Sequence, residues 1–402
     1  MWLKVEPKEP LILGEVRAGA QFLTGNLYLP GRVLRGAWAE WLARKGLNDT
    51  QILERVAQVR IGNFFPSVEW RQVRYTLPLP MSAMSCKQKS GFASEPLPDR
   101  RGHGVVDTLL PHLVYHLLVE HGARFPVPFS LVCPRCGDRT EGFRGFYTVY
   151  RDGDADRHVL FRPRFHGQTK VALSRHRRAS VEGMLYTASA LSPEAAKPDT
   201  NRETSTLVFL GQVHPSESEA LASLKEALQK TALGALHTRG YGCIELKDAD
   251  VDLPPLKERL ESFNRTLKQL WQDIRRLAIN EQDLPSEPEG TFFSVDLLAP
   301  GVFRRQGVPT LVPTLVIQSQ PFEPVFWMTR PDMASGWSTA WGLPKPTNLA
   351  ARMGSVYVFC WKGRPDVLVP FLMEFQGIGE RTDESFGECL ICHPFHMEVE
   401  PV

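Results

Sequence analysis

The cysteine and histidine residues between positions 86 and 136 have the types and spacing of a metal site. Cys133 and Cys136 stand in the string Cys-Pro-Arg-Cys-Gly, where two thiolates can chelate one Zn²⁺ and the glycine relieves the tight turn behind them. The flanking region is rich in glycine, proline and serine, so it can form little hydrophobic core unless a crosslink such as a metal ion holds it together. We expect a structural zinc site with the ligands Cys86, His103, Cys133 and Cys136. The alternative is a reduced cysteine pair in a metal-free turn. Three histidines in a helical pattern compete as ligands: His112, His116 and His121.

A second cysteine string, Cys389-Leu-Ile-Cys-His, matches the pattern of covalent haem attachment. That chemistry requires export, whereas the N-terminus has no basic start, apolar run or small-residue cleavage site. We therefore interpret Cys389 as a packed strand residue, like Cys243. We expect a cytoplasmic protein without a transmembrane helix, because no run of about 18 apolar residues occurs.

Two glycine-rich segments, residues 234–242 and 377–387, form a weak internal repeat. Each has a glycine, a spacer, an arginine, an aromatic residue followed by glycine, and then an apolar strand, which pairs Arg239 with Arg381 and Tyr241 with Phe386. Such glycines let backbone N–H groups converge on a phosphate, and the aromatic ring could stack on an unpaired base. The alternative is a tight turn whose aromatic residue fills the core. The candidate ligands of a nucleic acid in these segments are Gly234, His237, Arg239, Gly240, Tyr241, Gly242, Gly377, Gly379 and Arg381.

A basic run without any acidic residue spans positions 162–178. A local excess of this kind favours phosphate contacts, although a solvated hairpin tip is the alternative. Its candidate ligands are Lys170, Arg175, His176, Arg177 and Arg178. Arg32 and Arg35 begin a predicted helix, and helix N-termini also attract phosphate; ordinary surface charge is the alternative there.

The overall composition is that of a folded chain with an uneven distribution of charge. The 402 residues suit two or three domains, and 43% hydrophobic with 23% charged residues exclude wholesale disorder. Seven cysteines, an odd number, do not indicate a disulfide framework. Residues 1–284 hold 39 basic and 32 acidic residues, whereas residues 285–402 hold 8 and 13. This asymmetry favours a front part that faces a polyanion and a back part that docks a protein.

The pattern of predicted elements indicates an α+β fold of two related units. Helices are predicted over residues 32–44, 109–121, 217–232 and 256–277, between strands such as 207–213, 292–298 and 354–360. The predicted domains are residues 1–250, with an irregular insertion at about 82–145, a linker helix at 251–289, and residues 290–402.

Several segments resemble the RAMP proteins, the repeat-associated superfamily of CRISPR–Cas RNA-guided effectors. The two glycine-rich segments resemble that superfamily's glycine-rich loops, and residues 24–39 and 170–186 resemble two of its other motifs. Residues 336–346, followed by 354–359, resemble more narrowly the Csx-type RAMP subunit of type III-D systems.

The resemblance implies two ferredoxin-like (RRM-like) units, with the zinc-stabilised insertion in the first. It implies a non-catalytic, cytoplasmic subunit for antiviral defence that holds the 5′ handle of a CRISPR RNA and caps the backbone filament. The implied partners are CRISPR RNA, backbone RAMP subunits, the large polymerase-like subunit and, indirectly, target RNA, with no membrane. The aromatic signature of an RRM is not evident, so the loops and basic segments would bind the RNA.

Two other functions remain open from the sequence. A CRISPR RNA-processing endoribonuclease of the same superfamily would use His237, or Asp107, but the sequence pairs no second acid or base with His237. A structural adaptor would contact proteins alone and would show no salt-sensitive RNA binding.

Overall fold

The computed structural model describes residues 1–14, 25–200, 202–338, 342–375 and 377–402. Within these ranges the chain is a mixed α/β structure whose sheets are antiparallel, in agreement with the predicted α+β class. None of the helices found there combines the length and the apolar character needed to cross a bilayer.

Six α-helices occur in the described ranges. They are α1 (Gly31–Arg44), α2 (Asp49–Ala57), α3 (Leu109–Glu120), α4 (Ser218–Lys230), α5 (Leu256–Arg275) and α6 (Pro365–Glu374). The prediction found α1, α3, α4 and α5 but missed the two shortest. Helix α2 has 9 residues and begins with a capping box between Asn48 and Gln51. Helix α6 has 10 residues with Pro370 inside, which obscures its periodicity.

The strands fall into two groups along the chain. The first thirteen are β1 (Trp2–Pro7), β2 (Val59–Val68), β3 (Gln72–Pro78), β4 (Ala83–Cys86), β5 (Val105–Asp107), β6 (Thr140–Gly142), β7 (Phe146–Asp152), β8 (Ala155–Leu160), β9 (Phe165–Ser174), β10 (Ala179–Leu191), β11 (Glu194–Ala196), β12 (Thr204–Pro215) and β13 (Ile244–Asp248). The others are β14 (Thr291–Leu297), β15 (Phe303–Arg305), β16 (Val308–Thr310), β17 (Leu315–Ile317), β18 (Gln320–Phe322), β19 (Phe326–Met328), β20 (Pro331–Ala334), β21 (Trp337–Ser338), β22 (Leu343–Pro344), β23 (Asn348–Ala351), β24 (Val356–Trp361) and β25 (Cys389–Ile391).

The first sheet has the order β13-β1-β12-β2, with β11 at one end of β12. Helices α1 and α4 cover one face because their apolar stripes, such as Trp38 and Leu224, meet the inward side chains Leu3, Val5 and Phe209. Since α1 follows β1 and α4 follows β12, each helix connects two strands of this sheet.

The second sheet repeats this order as β25-β14-β24-β19. Helix α5 lays Phe263 and Trp271 on it, and α6 adds Leu368. Along the chain, the small hairpins β15–β16 and β17–β18 follow β14 and precede β19. They take the place in the chain order that α1 has in the first unit. Cys389 begins β25, so its interpretation as a strand residue is confirmed. Its proposed analogue Cys243 is instead exposed, just before β13.

The region predicted to be irregular contains regular structure. Strands β5-β4-β6 form a three-stranded sheet, and β3-β7-β8 form another beside it. Helix α3, predicted as the one helical patch in this region, packs Leu113 and Leu118 into the same core as α5 and the second sheet. The insertion is therefore tied to the C-terminal half by apolar contacts that the local sequence does not reveal.

A fully buried histidine joins three distant parts of the chain. His396 Nδ1 lies 3.0 Å from Asp107 Oδ2, and His396 Nε2 lies 2.7 Å from Asp296 Oδ1. Burial alone would lower the pKa of His396, but the two carboxylates raise it to about 10. The ring is therefore a buried cation that links β5, β14 and the C-terminal segment.

We expect His396→Gln to lower the free energy of unfolding near neutral pH by about 3–5 kcal/mol, because two buried carboxylates lose their cation. The folded pKa is raised from 6.5 to about 10, so this stabilisation is complete below pH 6.5 and is lost as the pH rises through 10. Urea unfolding of both proteins across that range measures it. A difference between them that stays constant up to pH 10 would contradict the assignment.

Candidate nucleic-acid interface and metal centre

The four predicted metal ligands come together in the structure. Cys86 ends β4, His103 precedes β5, and Cys133 and Cys136 occupy the turn before β6. Their donor atoms all lie within 4.8 Å of one another. The Sγ atoms of Cys86 and Cys136 are 3.5 Å apart, and Cys133 Sγ is 3.5 Å from His103 Nδ1. This cluster can hold a metal ion, as the sequence predicted.

The turn that carries two of the thiols is closed by the backbone. The N–H of Cys133 donates to Asp138 O and that of Gly137 donates to Cys133 O, both at 2.8 Å, while Gly137 has a φ of +73°. Burial raises the pKa of the Cys133 thiol, but backbone donors at Arg135 and Cys136 outweigh it, so the pKa is lowered. The turn thus favours a thiolate at Cys133, the form that binds metal.

The donor set fits a tetrahedral metal ion. Zinc–sulfur bonds of about 2.3 Å place neighbouring ligands of a tetrahedron about 3.8 Å apart, close to the separations seen here. The backbone N–H of Asp138 lowers the pKa of Cys136, but desolvation and the thiols of Cys86 and Cys133 raise it to about 12. Three crowded thiols cannot all ionise without a cation among them.

The competing histidines make other contacts and are not part of this cluster. On α3, the Nδ1 of His112 lies 2.7 Å from Thr108 O and His116 contacts Phe326, while His121, directly after α3, packs on Trp271. They belong to the packing of the helix.

The two glycine-rich segments share one backbone conformation. In the first glycine loop (residues 234–242), Leu233 N–H donates to Gly242 O; in the second glycine loop (residues 377–387), Ile378 N–H donates to Gly387 O. A Cβ on Gly242 would lie 2.3 Å from Leu233 O, and one on Gly387 would lie 1.9 Å from Ile378 O. These closing glycines therefore pack against the chain itself.

The opening glycines have the same role. A Cβ on Gly234 would lie 2.3 Å from Ile12 O, and one on Gly379 would lie 2.4 Å from Val302 O. Gly377 packs instead against the guanidinium of Arg60. Only glycine fits at the close approaches of Gly234 and Gly379 to backbone carbonyls, so these two positions shape the loops.

The pairing of Arg239 with Arg381 is wrong. Leu236 and Arg381 are the equivalent residues, because each has a left-handed backbone, with φ of 62° and 59°, and precedes a 3₁₀ turn. Arg239 ends the first turn, where the second loop has Glu384. The two loops have equal spacing between equivalent residues, whereas the sequence pattern allowed the spacers to differ, so it aligned two arginines at unrelated positions.

The tip of the first glycine loop faces solvent. His237, Thr238, Arg239 and Gly240 are all exposed, and a Cβ on Gly240 would meet open space. Beneath the tip, Tyr241 is 6% exposed and donates its hydroxyl proton to Gln168 Oε1 at 2.5 Å. The expected stacking face of Tyr241 is thus buried, because the ring supports the loop.

The second glycine loop is turned inward against the first sheet. Ser385 donates its hydroxyl proton to Ile61 O at 2.7 Å, and Asn63 Nδ2 donates to Ser385 O at 2.9 Å. Arg381 is held by Glu384 through two hydrogen bonds of 3.0 Å, and Phe386 is 3% exposed. The polar groups expected to meet a phosphate here already contact protein.

Helix α1 supplies part of that inward contact. Arg35 Nη1 lies 2.9 Å from Asp383 Oδ2, and the guanidinium of Arg32 lies 5.1 Å from the centre of the Phe386 ring. Both arginines predicted at the helix N-terminus therefore contact the second glycine loop.

The basic run forms the tip of a long hairpin. Strands β9 and β10 pair from Phe165↔Leu191 to Ser174↔Ala179, and Arg175, His176, Arg177 and Arg178 are exposed at the turn. None of these four forms an ion pair within the described ranges. The side chain of Lys170 lies outside what the structure describes.

The base of this hairpin packs against the first glycine loop. Ala188 and Ala190 of β10 form a small buried cluster with Ile12 and Tyr241. Together with the bond from Tyr241 to Gln168 in β9, this contact fixes the hairpin relative to the loop. The exposed loop tip is therefore fixed relative to the base of the hairpin, and the basic turn begins at Arg175, seven residues beyond Gln168.

The open face of the first sheet carries ion pairs. Glu6 is 4% exposed and lies 2.8 Å from Lys4 Nζ, 3.2 Å from Lys8 Nζ and 2.9 Å from Lys247 Nζ. Burial would raise the pKa of Glu6, but these lysines lower it to about 2. The lysine charges on this face are largely compensated.

The two residues considered for catalysis, Asp107 and His237, have different environments. Asp107 is buried and bonded to His396, Ser82 and the backbone of Leu109, so its proposed role at a scissile phosphate is wrong. His237 is exposed and makes no hydrogen bond within the described ranges.

Several residues that build the site escaped the sequence analysis. Their contacts join parts of the chain that are far apart in sequence, so no local pattern identifies them. They are Asn63, Glu388 and His396. Glu388 Oε2 accepts hydrogen bonds of 2.6 Å from both the backbone N and the Nδ2 of Asn63. Burial raises the pKa of Glu388 to about 7 despite these donors.

Comparison with known proteins gives one family and several distant structures. The family model described as RAMPs, the RAMP superfamily, matches residues 4–245. No curated protein sequence matches the chain significantly. A chain of the Type III-B Cmr-beta structure bound to cognate target RNA and AMPPnP is similar at 11% identity, with a TM-score of 0.41 and coverage of 89% of this chain and 86% of that chain.

Two other solved structures are similar at comparable distance. A chain of the Csm3–Csm4 subcomplex in the type III-A CRISPR–Cas interference complex has 14% identity and a TM-score of 0.35, covering 90% of this chain and 94% of that chain. A chain of the Csm1–Csm4 cassette in complex with AMPPNP has 11% identity and a TM-score of 0.30, covering 89% and 87%.

The metal cluster predicts that Cys133→Ser loses the bound metal ion and lowers the melting temperature, because one of four ligands is removed. Metal analysis of the purified proteins measures the loss, from about one ion per chain in the wild type. Cys243→Ser is the matched control, since Cys243 is exposed and lies outside the cluster. A wild-type protein without metal would refute the site.

The first glycine loop predicts unequal effects at two of its glycines. Gly242→Ala places a Cβ against Leu233 O at a φ of +92°, so we expect a loss of at least about 2 kcal/mol of unfolding free energy. In Gly240→Ala the new Cβ meets open space, so only the left-handed backbone, with a φ of +79°, is unfavourable. We expect this variant to lose about 1 kcal/mol of unfolding free energy. Urea unfolding compares them. Equal losses would mean that the closing contact is not required.

Proposed function

The chain belongs to the RAMP superfamily, and from this premise we propose that it is a non-catalytic, RNA-binding structural subunit of a type III CRISPR effector complex. The observation that carries the proposal is the surface formed by the exposed tip of the first glycine loop and the basic hairpin β9–β10. This surface offers arginines to phosphates and is braced by the buried Tyr241.

The finer role follows from the resemblance of the sequence to the type III-D subunit. We propose that the surface holds the 5′ handle of the CRISPR RNA and that the chain caps the backbone filament in an antiviral complex in the cytoplasm. Its partners would be the CRISPR RNA, the backbone RAMP subunits and the large polymerase-like subunit, with target RNA contacted indirectly. The acidic C-terminal part is the side that suits a protein partner.

The sheet orders support two ferredoxin-like units. In the first sheet, strand, helix, strand, strand, helix and strand follow one another in the spatial order β13-β1-β12-β2. The second sheet has the same order, with hairpins in place of its first helix. We propose residues 1–250 and 290–402 as these units, joined by the segment that contains α5.

We propose zinc as the ion of the metal cluster and a structural role for it. Three thiols and one imidazole form a complete tetrahedral set, which is typical of closed structural zinc sites and leaves no open position for a substrate. Zinc bound there would link the end of β4 to the turn of Cys133 and Cys136 that precedes β6.

The interface predicts that Arg175→Ala with Arg177→Ala weakens RNA binding by about tenfold and lowers the slope of log Kd against log salt by about 1.4, or about 0.7 for each lost contact. The measurement is fluorescence anisotropy with a CRISPR RNA from the host's own array at several salt concentrations. Arg44→Ala with Arg276→Ala removes the same charge elsewhere and should leave both values unchanged.

The same binding reactions separate the other functions. RNA cut at discrete sites without metal, with cutting abolished by His237→Ala, would establish the endoribonuclease instead. RNA binding that is absent or insensitive to salt would leave only the structural adaptor, and the proposed function would fail.

A further inference from the structure

Three arginines from separate parts of the chain meet away from the first glycine loop. Arg144 lies between β6 and β7, Arg330 follows β19, and Arg352 follows β23. The backbone N–H of Arg352 donates to Arg330 O at 2.9 Å, so these two residues are direct neighbours.

The segment containing Leu79 and Met81 brings Arg144 to the same place. Leu79 N–H donates to Gly145 O at 2.9 Å, and Met81 N–H donates to Gly354 O at 2.7 Å. A Cβ on Gly354 would lie 2.7 Å from Leu79 O, so the contact is close. The residues after Arg144 and after Arg352 thus flank one short stretch of backbone.

The charges in this group are poorly compensated. Arg144 and Arg330 are exposed and form no ion pair within the described ranges, while Arg352 Nε lies 3.4 Å from Asp332 Oδ2. Partial burial lowers the pKa of Arg144, and the positive charges of Arg330 and Arg352 lower it further. Positive charges close to one another repel, which raises the free energy of the protein without a ligand. A bound anion relieves this repulsion.

We propose that Arg144, Arg330 and Arg352 form a second RNA-binding site, which takes a backbone phosphate of the same RNA strand. This inference rests on the proposed function. Guanidinium groups suit phosphate because each presents several donors in a planar fork. Here backbone contacts bring three arginines together between the insertion and the second sheet.

A nearby aromatic residue favours RNA over an acidic protein segment. Trp327 is 48% exposed on β19, three residues before Arg330. A nucleic acid supplies a phosphate for the arginines and a base for the indole, whereas an acidic peptide supplies only the charge.

The test compares Arg144→Ala with Arg330→Ala in one variant against the wild type, using the same CRISPR RNA and salt series. We expect the salt slope to fall by about 0.7, since the contact with one phosphate is lost. Trp327→Ala should weaken binding by about fivefold or more with an unchanged slope, because stacking is not ionic. Arg144→Lys with Arg330→Lys, which keeps the charges, should retain most of the slope, and melting temperatures check folding.

Arg44→Ala with Arg276→Ala is the matched control, because both arginines are exposed and each has a carboxylate partner on its own helix. A wild-type slope and affinity in the Arg144/Arg330 variant would overturn the inference. If the Arg175/Arg177 variant loses RNA while this one does not, the proposed function stands and only the second site falls. Loss of a protein subunit from the purified complex with RNA affinity unchanged would also overturn it, in favour of an acidic protein segment.

Discussion

The hydrogen bonds of Asn63 hold the second glycine loop against the first sheet. Asn63 lies in β2 of the first sheet, and it donates to Ser385 O and to Glu388 Oε2 at the end of the second glycine loop. Because burial raises the pKa of Glu388 to about 7, this carboxyl group is protonated in only part of the molecules near neutral pH. The contact packs the second loop between the two sheets, whereas the tip of the first loop is exposed.

The two loops therefore show how one backbone can serve two purposes. Their closing glycines make the same hydrogen bond and the same close approach to a carbonyl. Their tips differ, with His237 to Gly240 exposed in the first and Asp383 and Glu384 paired with arginines in the second. Shape is conferred by glycine, whereas availability to a ligand is decided by what packs against the tip.

The insertion is held by two polar clusters that differ in kind. The Cys₃His cluster joins its strands locally, and the buried His396 joins Asp107 of the insertion to Asp296 of the second sheet. The first depends on soft ligands that all lie within residues 86–136, and the second on one cation between two carboxylates in the core. The histidine contacts add to the apolar packing of α3 that holds the insertion beside the C-terminal half.

The sequence by itself determined the features that arise from neighbours along the chain. The metal ligands, the closing glycines, the basic hairpin tip and four helices follow from residue type and spacing, because turns, chelation and periodicity are local. Only the tertiary structure decided that Tyr241 is buried, that Arg381 is bound by Glu384 and that Asp107 is paired with His396. Those outcomes depend on burial and on partners that folding brings together. The free energy of burying a charged group or an aromatic ring depends on the groups around it in the folded protein more than on its neighbours in the sequence.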